Sequence, residues 1–348
     1  MKFLFYLPSR FGEAVQDWDY AEKHPMGGSE SLVLRLAQWW KAAGHEARIC
    51  TKWEDCASAT CDVFISMRTL EPFQSPLSSE RLNYLWCQDD TDQPFLQPLR
   101  DVKVAEYLFH HCDAIILPSH YALTKWAKEL HAPVSKLEMI PNSIPLERFQ
   151  KIDVEKLRQR PPRAYYASTP QRGLKELTQS WPRVLEKVPE AHLHVASSMK
   201  MYNSEDNASL QELFDQVQKL PNTTYVGAVN QAEIRNIATQ CRALAYPCTF
   251  AETGCLSAME AMASGCAVVA TALGALPETA WRNPLVEFSG DWLSVWTREL
   301  VRIFTDDEYY ADIARGNLHI AERMSTDVIA QHWLLRIQSD FAARGLKI

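Results

Sequence analysis

At 348 residues the chain exceeds what one hydrophobic core usually serves, and its 47% hydrophobic, 23% charged composition is that of a globular protein of two domains. A formal net charge of -7 argues against a broad footprint on nucleic acid or on an anionic membrane. Nine scattered cysteines, an odd number with no CxxC pair, lack the spacing of a zinc or dithiol motif and fit reduced thiols in a cytosolic protein.

The amino terminus, MKFLFYLPSRF, carries a short apolar run that stops at Pro8, too short for a signal-peptide core, and predicts a first buried strand. No stretch reaches the roughly 18–20 apolar residues that span a bilayer, so the expected location is cytoplasmic, at most peripheral to the inner face of a membrane. GGSE, with Gly27 and Gly28, then opens an amphipathic helix, SESLVLRLAQWWKAAG (residues 29–44). Strand patterns follow in EARIC, DVFISM and LNYLWC, the last running into an acidic stretch with Asp89, Asp90 and Asp92. That stretch is either a metal site or, as such short runs more often are, a solvated loop. AIILPS precedes a second helix, HYALTKWAKEL (residues 120–130), with Ser119 as its N-cap. Both helices set tryptophans beside lysines. Such pairs either bury the ring and solvate the amine, or grip a sugar or a membrane interface.

After the strand pattern LEMIPN comes VEKLRQRPPR (residues 154–163), whose charges and two prolines read as an interdomain linker. The pattern then restarts with RAYYAS, HLHVAS, TTYVGAV, RALAYP and AVVATA, helices lying between. Apolar strands separated by single helices imply parallel sheets covered on both faces. The expected fold class is α/β, with two Rossmann-like doubly wound parallel-sheet domains facing across a cleft. Residues 1–150 are expected to form the first domain, 151–163 the linker and 164–325 the second domain, with a C-terminal helix within 326–348 packing back on the first. There is no GxGxxG after a strand and no GxxxxGK[ST], so neither a nicotinamide nor an ATP site is licensed.

The stretch AETGCLSAMEAMASG (residues 251–265) poses a physical problem. From Cys255 onward it is a helix apolar on every face, hence buried, with one carboxylate, Glu260, inside it. A buried carboxylate needs donors or a positive charge, supplied either by a distant arginine or by a ligand. Gly254 places the helix start just after itself and leaves Glu252 in the loop above a strand end. The N–H groups of Gly254, Cys255 and Leu256 then crown a helix N-terminus, which attracts phosphate. Gly265 closes the helix as a C′ residue.

Glu252 and Glu260, the helix end EAMASG and the loop GALPE (residues 274–278) together resemble the retaining glycosyltransferases of the GT-B fold, specifically the large family 4. The resemblance implies that Glu260 accepts hydrogen bonds from the two ribose hydroxyls of a nucleotide-diphosphate sugar, and that Glu252 contacts hydroxyls of the transferred sugar. GGSE resembles the family's glycine loop, where the backbone approaches a diphosphate or an acceptor closely. Asn142, in IPNSIPLERF, is a turn residue in a segment that resembles the end of the family's first domain.

Two positions depart from the family's pattern. In ASTPQRGLKEL (residues 167–177) Arg172 stands where a lysine is expected, and Ser168 and Thr169 where an earlier arginine would be. Arg172 is therefore the expected cation on the leaving diphosphate, with Lys175 as a helper one helical turn on or as a solvated lysine. In LWCQDDTDQ, Gln88 or Asp89 falls near the family's usual histidine, and Asp89 is expected near the acceptor. The resemblance implies catalysis with no metal and no cofactor beyond the donor itself, and a glycan, lipid-linked or small-molecule acceptor. Its rivals are another GT-B enzyme, a sugar-nucleotide epimerase or a phosphorylase, and a non-catalytic sugar-nucleotide-binding scaffold.

Overall fold

The six apolar runs of the first half become six parallel strands, β1 (Lys2–Tyr6), β2 (Glu46–Cys50), β3 (Val63–Met67), β4 (Leu82–Trp86), β5 (Ala114–Leu117) and β6 (Leu137–Met139). They lie in the order β2-β1-β3-β4-β5-β6. The computed structural model describes residues 1–8, 12, 18–202 and 204–346, so residues 347 and 348 of the expected C-terminal segment lie outside it. The chain divides into two units: Met1–Tyr20, Gly28–Ser143 and Thr326–Ile348 in the first, Ala21–Gly27 and Ile144–Ser325 in the second.

In the first unit β3 and β4 are buried along their whole length, as expected of a parallel strand with both faces covered. The helix Gly28–Ala42 lays Trp40 against Phe3, ring centroids 3.9 Å apart. The helix Thr326–Arg344 adds Trp333, edge-on to Trp40 at 6.2 Å and to Trp86 at 5.0 Å. It is tied down further by Tyr84, whose hydroxyl donates to Asp340 at 2.7 Å. Trp40 and Trp126 are fully buried, so these rings belong to the core, and the sugar or membrane alternative for them falls away. Their lysines are not all solvated: Lys125 pairs with Asp90 at 2.8 Å. Ser119 does cap the helix His120–Glu129, accepting from Ala122 N at 3.1 Å.

The second unit holds β7 (Arg163–Ala167), β8 (His192–Ala196), β9 (Thr223–Tyr225), β10 (Ala243–Tyr246), β11 (Ala267–Thr271) and β12 (Leu285–Val286) in the order β12-β11-β10-β7-β8-β9. Every strand pair in both sheets is parallel. β12, two residues inside NPLVEF, is too short to leave a periodic signal, and the sequence did not mark it. Counted within the unit, the order is 3-2-1-4-5-6, and it reverses between β7 and β10. The helix Leu256–Ala263 ends as the glycine predicts. Gly265 has φ +69, Cys266 N donates to Ala261 O at 2.9 Å, and Gly265 N donates to Met262 O at 3.0 Å.

The segment expected as a linker is part of the second unit. Leu157 is 1% exposed in its core, and Arg160 Nη1 donates to the carbonyls of Cys241 at 3.0 Å and Gly265 at 3.1 Å. Ile144 is buried against Met259 and Ala263 of the helix Leu256–Ala263. The chain therefore leaves the first unit after Ser143, earlier than the expected boundary at 150. Charge misled the reading because Arg160 binds backbone carbonyls, Arg158 pairs with Glu308 and Arg163 donates to Gln240. Among the described residues, no helix is long and apolar enough to cross a membrane.

Leu157→Ala distinguishes a packed segment from a tether. It should lower stability by about 2–5 kcal/mol through the lost methyl groups and the cavity they leave. In a solvated tether the change would stay within about 0.5 kcal/mol. Urea denaturation followed by circular dichroism reads the difference.

Candidate functional site

Ligands of doubly wound sheets bind outside the carboxyl ends of the strands where the order reverses. In the second unit those ends are Ala167 of β7 and Tyr246 of β10. The loop after β7 carries Arg172 to Gly173, which caps the helix Leu174–Leu185 at φ +97. A Cβ at Gly173 would lie 2.0 Å from Pro247 O, so only glycine lets this loop press against the segment leaving β10. That segment carries Glu252. Its backbone is gripped from a third strand end: Ala275 N donates to Glu252 O at 2.6 Å, and a Cβ at Gly274, φ +60, would lie 2.3 Å from the same oxygen. The family-like glycine of GALPE is thus a close-approach glycine, and what it approaches is Glu252.

These backbone contacts bring the side chains together. Arg172 Nη1 donates to both Glu252 oxygens, at 2.7 Å to Oε1 and 2.9 Å to Oε2. Tyr246 donates its hydroxyl to Oε1. The guanidinium also lies over the Phe250 ring, 4.8 Å from its centroid. Glu252 is 3% exposed, while the Arg172 side chain remains 31% exposed. A buried carboxylate thus carries a cation that reaches toward solvent.

Glu260 is buried within the helix Leu256–Ala263, as its apolar surroundings predict. The helix begins one step later than expected. Cys255 is its cap and Leu256 its first residue, so the amides left over at its start belong to Cys255, Leu256 and the residues that follow, while Gly254 precedes the cap. The reason is dihedral: Cys255, at φ -80 and ψ 97, is still extended. Ser257 Oγ donates to Ala167 O at 2.6 Å and fixes this helix start to the end of β7. Lys175 is exposed in the first turn of the helix Leu174–Leu185; Arg172, not Lys175, makes the contact with Glu252.

The thiols beside the carboxylate are not nucleophiles. Cys248 Sγ lies 4.0 Å from Glu252 Oε1, and burial together with the Glu252 charge pushes its pKa up to about 12. Burial first and Glu252 second also raise Cys255 and Tyr246 well above their ordinary values. All three stay protonated at neutral pH.

In the first unit, Arg68 and Asp89 follow the adjacent strands β3 and β4. Arg68 Nε and Nη2 donate to the two oxygens of Asp89 at 2.5 and 2.6 Å, and Nη1 donates to Ser29 Oγ at 3.1 Å. Gly28 is the first residue of the helix Gly28–Ala42; Gly27 lies on the other side of the division between units. Asp90 is held by Lys125 and by the Tyr121 hydroxyl at 3.2 Å. Asp89 and Asp90 are therefore ion-paired rather than solvated. Among the described residues no group of three or more His, Cys, Asp or Glu side chains is placed to hold a metal ion.

Sequence reasoning missed Tyr246 and Arg68. A tyrosine at the end of a fully buried strand must find a partner for its hydroxyl, and that signal was present in RALAYP. Arg68 gave none, since arginine seldom adopts the left-handed φ of +56 it shows here.

Residues 163–306 match the family model described as glycosyl transferases group 1, a segment that holds both Arg172 and Glu252. Among solved structures, sucrose-phosphate synthase from Thermosynechococcus elongatus aligns at a TM-score of 0.75 and 15% identity, covering 99% of this chain and 100% of that one. HepE from Anabaena, solved in complex with UDP-glucose, aligns at 0.71 and 17%, covering 97% of this chain and 100% of that one. A glycosyltransferase from Rickettsia africae aligns at 0.64 and 11%, covering 98% of each chain. No curated protein sequence matches the chain. At these identities the likeness is one of fold. The two doubly wound six-stranded sheets are the GT-B architecture.

Because burial and the neighbouring charge hold Cys248 and Cys255 as thiols, native protein treated with iodoacetamide at neutral pH should remain unmodified at both. The unfolded chain should react at both, and peptide mass spectrometry distinguishes the two states. Modification of Cys248 in the native protein would mean that the thiol is ionised beside Glu252.

Proposed function

We propose that this protein transfers a glycosyl group from a nucleotide-diphosphate sugar to an acceptor hydroxyl, with retention of anomeric configuration and without a metal ion. The observation that carries the reading is the Arg172–Glu252 pair at the reversal point of a 3-2-1-4-5-6 sheet, inside the segment that matches glycosyl transferases group 1. The structural likeness to HepE in complex with UDP-glucose supports a nucleotide-sugar donor. The assignment to family 4, and a hexose as the transferred group, belong to the same proposal.

In this reading Glu260 accepts from the ribose hydroxyls and Glu252 from hydroxyls of the donor sugar. Arg172, the helix-start amides of Cys255 and Leu256 with the adjoining Gly254, and Lys175 meet the diphosphate; Gly27 and Gly28 give close backbone approach to it or to the acceptor. Asp89 serves the acceptor side through the orientation that Arg68 gives it. The bond from the acceptor oxygen to the anomeric carbon forms on the face from which the diphosphate departs. The acceptor proton passes to a diphosphate oxygen, so no protein nucleophile takes part. Negative charge grows on the departing diphosphate, and a preorganised guanidinium stabilises it most in the transition state. Arg172 does this from a fixed position, because Glu252 already orients its Nη1.

The test is turnover of the donor in excess EDTA by the wild type and three variants. Arg172→Ala should lower the catalytic rate by roughly a hundredfold or more, the scale of losing one preorganised donor. Arg172→Lys should recover only part of it, since a point charge cannot span the geometry of a guanidinium fork. Lys175→Ala should cost far less. Activity abolished by EDTA and restored by manganese would overturn the metal-free mechanism. A dead Lys175→Ala beside a nearly normal Arg172→Ala would move the diphosphate contact to Lys175. Binding of nucleotide sugars with no turnover against any acceptor would favour a scaffold.

A further inference from the structure

The two oxygens of Glu252 are loaded unequally. Oε1 accepts from the Tyr246 hydroxyl and, at 2.7 Å, from Arg172 Nη1, with the Cys248 thiol 4.0 Å away. Oε2 accepts from the same Nη1 at 2.9 Å. A single Nη1 shared between both oxygens treats them nearly alike, so Arg172 by itself does not choose the carboxylate's rotation. Tyr246 breaks the symmetry. Each carboxylate oxygen offers about two lone-pair sites, so Oε1 is filled and Oε2 keeps capacity for one further donor.

Tyr246 is built to hold that position. It is the last residue of β10, is 0% exposed, and its ring lies 5.9 Å from that of Tyr166. Its hydroxyl oxygen is 3.3 Å from Ser168 Oγ, at the end of the neighbouring strand β7. With the phenol proton given to Glu252, the Ser168 hydroxyl is the donor of that second contact. The relay from Ser168 through Tyr246 to Glu252 therefore has one direction. Burial and the Glu252 charge keep the phenol protonated, so it serves as a permanent donor.

We propose that Tyr246 is a positioning residue for the transfer, its hydroxyl filling Glu252 Oε1 so that Oε2 is the oxygen presented to a hydroxyl of the donor sugar. The inference rests on the glycosyl-transfer reading above. It also makes a distinction that reading does not: Tyr246 acts on recognition of the sugar and leaves recognition of the nucleoside diphosphate alone.

Tyr246→Phe keeps the ring and removes the hydroxyl. It is compared with the wild type, Glu252→Ala and the double variant, using UDP, UDP-glucose, UDP-N-acetylglucosamine, ADP-glucose and GDP-mannose as probes in thermal shift and calorimetry. The donor that binds is then used for turnover. Tyr246→Phe should melt cooperatively and bind the matching nucleoside diphosphate within about twofold of wild type. Its kcat/KM for the nucleotide sugar should fall roughly tenfold to a hundredfold, the scale of a hydrogen bond to a charged group. In the Glu252→Ala background the same change should have almost no further effect, because the oxygen it orients is gone. Equal losses for the diphosphate and its sugar ester, a Tyr246→Phe variant with wild-type kcat/KM, or full additivity with Glu252→Ala would each overturn the positioning role. If Tyr246→Phe fails to melt cooperatively, Ser168→Ala, which removes only the donor to the phenol oxygen, replaces it. Ser168→Ala should lower kcat/KM for the sugar ester while sparing diphosphate binding, and no change in either overturns the relay. A wild-type protein that binds none of the nucleotide sugars overturns the glycosyl-transfer reading itself, an outcome distinct from all of these.

Discussion

A carboxylate buried without donors costs a folded protein several kcal/mol, and the carboxyl-end loops of the second unit converge on meeting that need at Glu252. Its charge is met by Arg172 from beyond β7 and by Tyr246 from β10, and its backbone is held by Ala275 from beyond β11. These three strands are neighbours in the sheet, in the order β11-β10-β7. The convergence follows from the strand order, since parallel strands deliver all their carboxyl ends to one edge. Two glycines make it close enough to matter. At Gly173 and Gly274 even a methyl group would collide with the backbone that the loop must approach.

The first unit repeats the theme with different residues. Adjacent strands β3 and β4 end at Arg68 and Asp89, which form a two-point ion pair. Arg68 holds a left-handed backbone to do so, a conformation that costs about 1–2 kcal/mol for a residue with a Cβ. The pair and the contact with Ser29 are what offset it. In both units, then, a guanidinium and a carboxylate meet where neighbouring strands end. In each pair the carboxylate is the more buried partner, and in the first unit the guanidinium is also linked to the start of a helix through Ser29.

Other side chains of chemistry-bearing types serve the core. Trp40 and Trp126 fill the interior of the first unit, and Cys248 and Cys255 are buried thiols whose pKa values rise with burial. Chemistry-bearing residue types do not announce their environment. A tryptophan beside a lysine is read by which side of the helix the sheet covers, and a cysteine by the dielectric around it. Both are properties of the packed chain.

Features that depend on neighbours along the chain could be read from the residues in order. Eleven strands were legible because apolar runs between helical segments have a local signature. The Ser119 cap and the glycine ending at Gly265 were legible because their hydrogen bonds close within a few residues. Glu260 was legible as a buried carboxylate because its own helix is apolar all round. Contacts between residues far apart in sequence could not be read that way. Arg172 and Glu252, 80 positions apart, meet only because β7 and β10 are neighbours at the reversal of strand order. The apparent linker is part of the second unit because Arg160 finds carbonyls 81 and 105 positions away, and its charge is spent on them rather than on water. Periodicity records which way a side chain points, but the partner it meets is fixed only when the sheet is assembled.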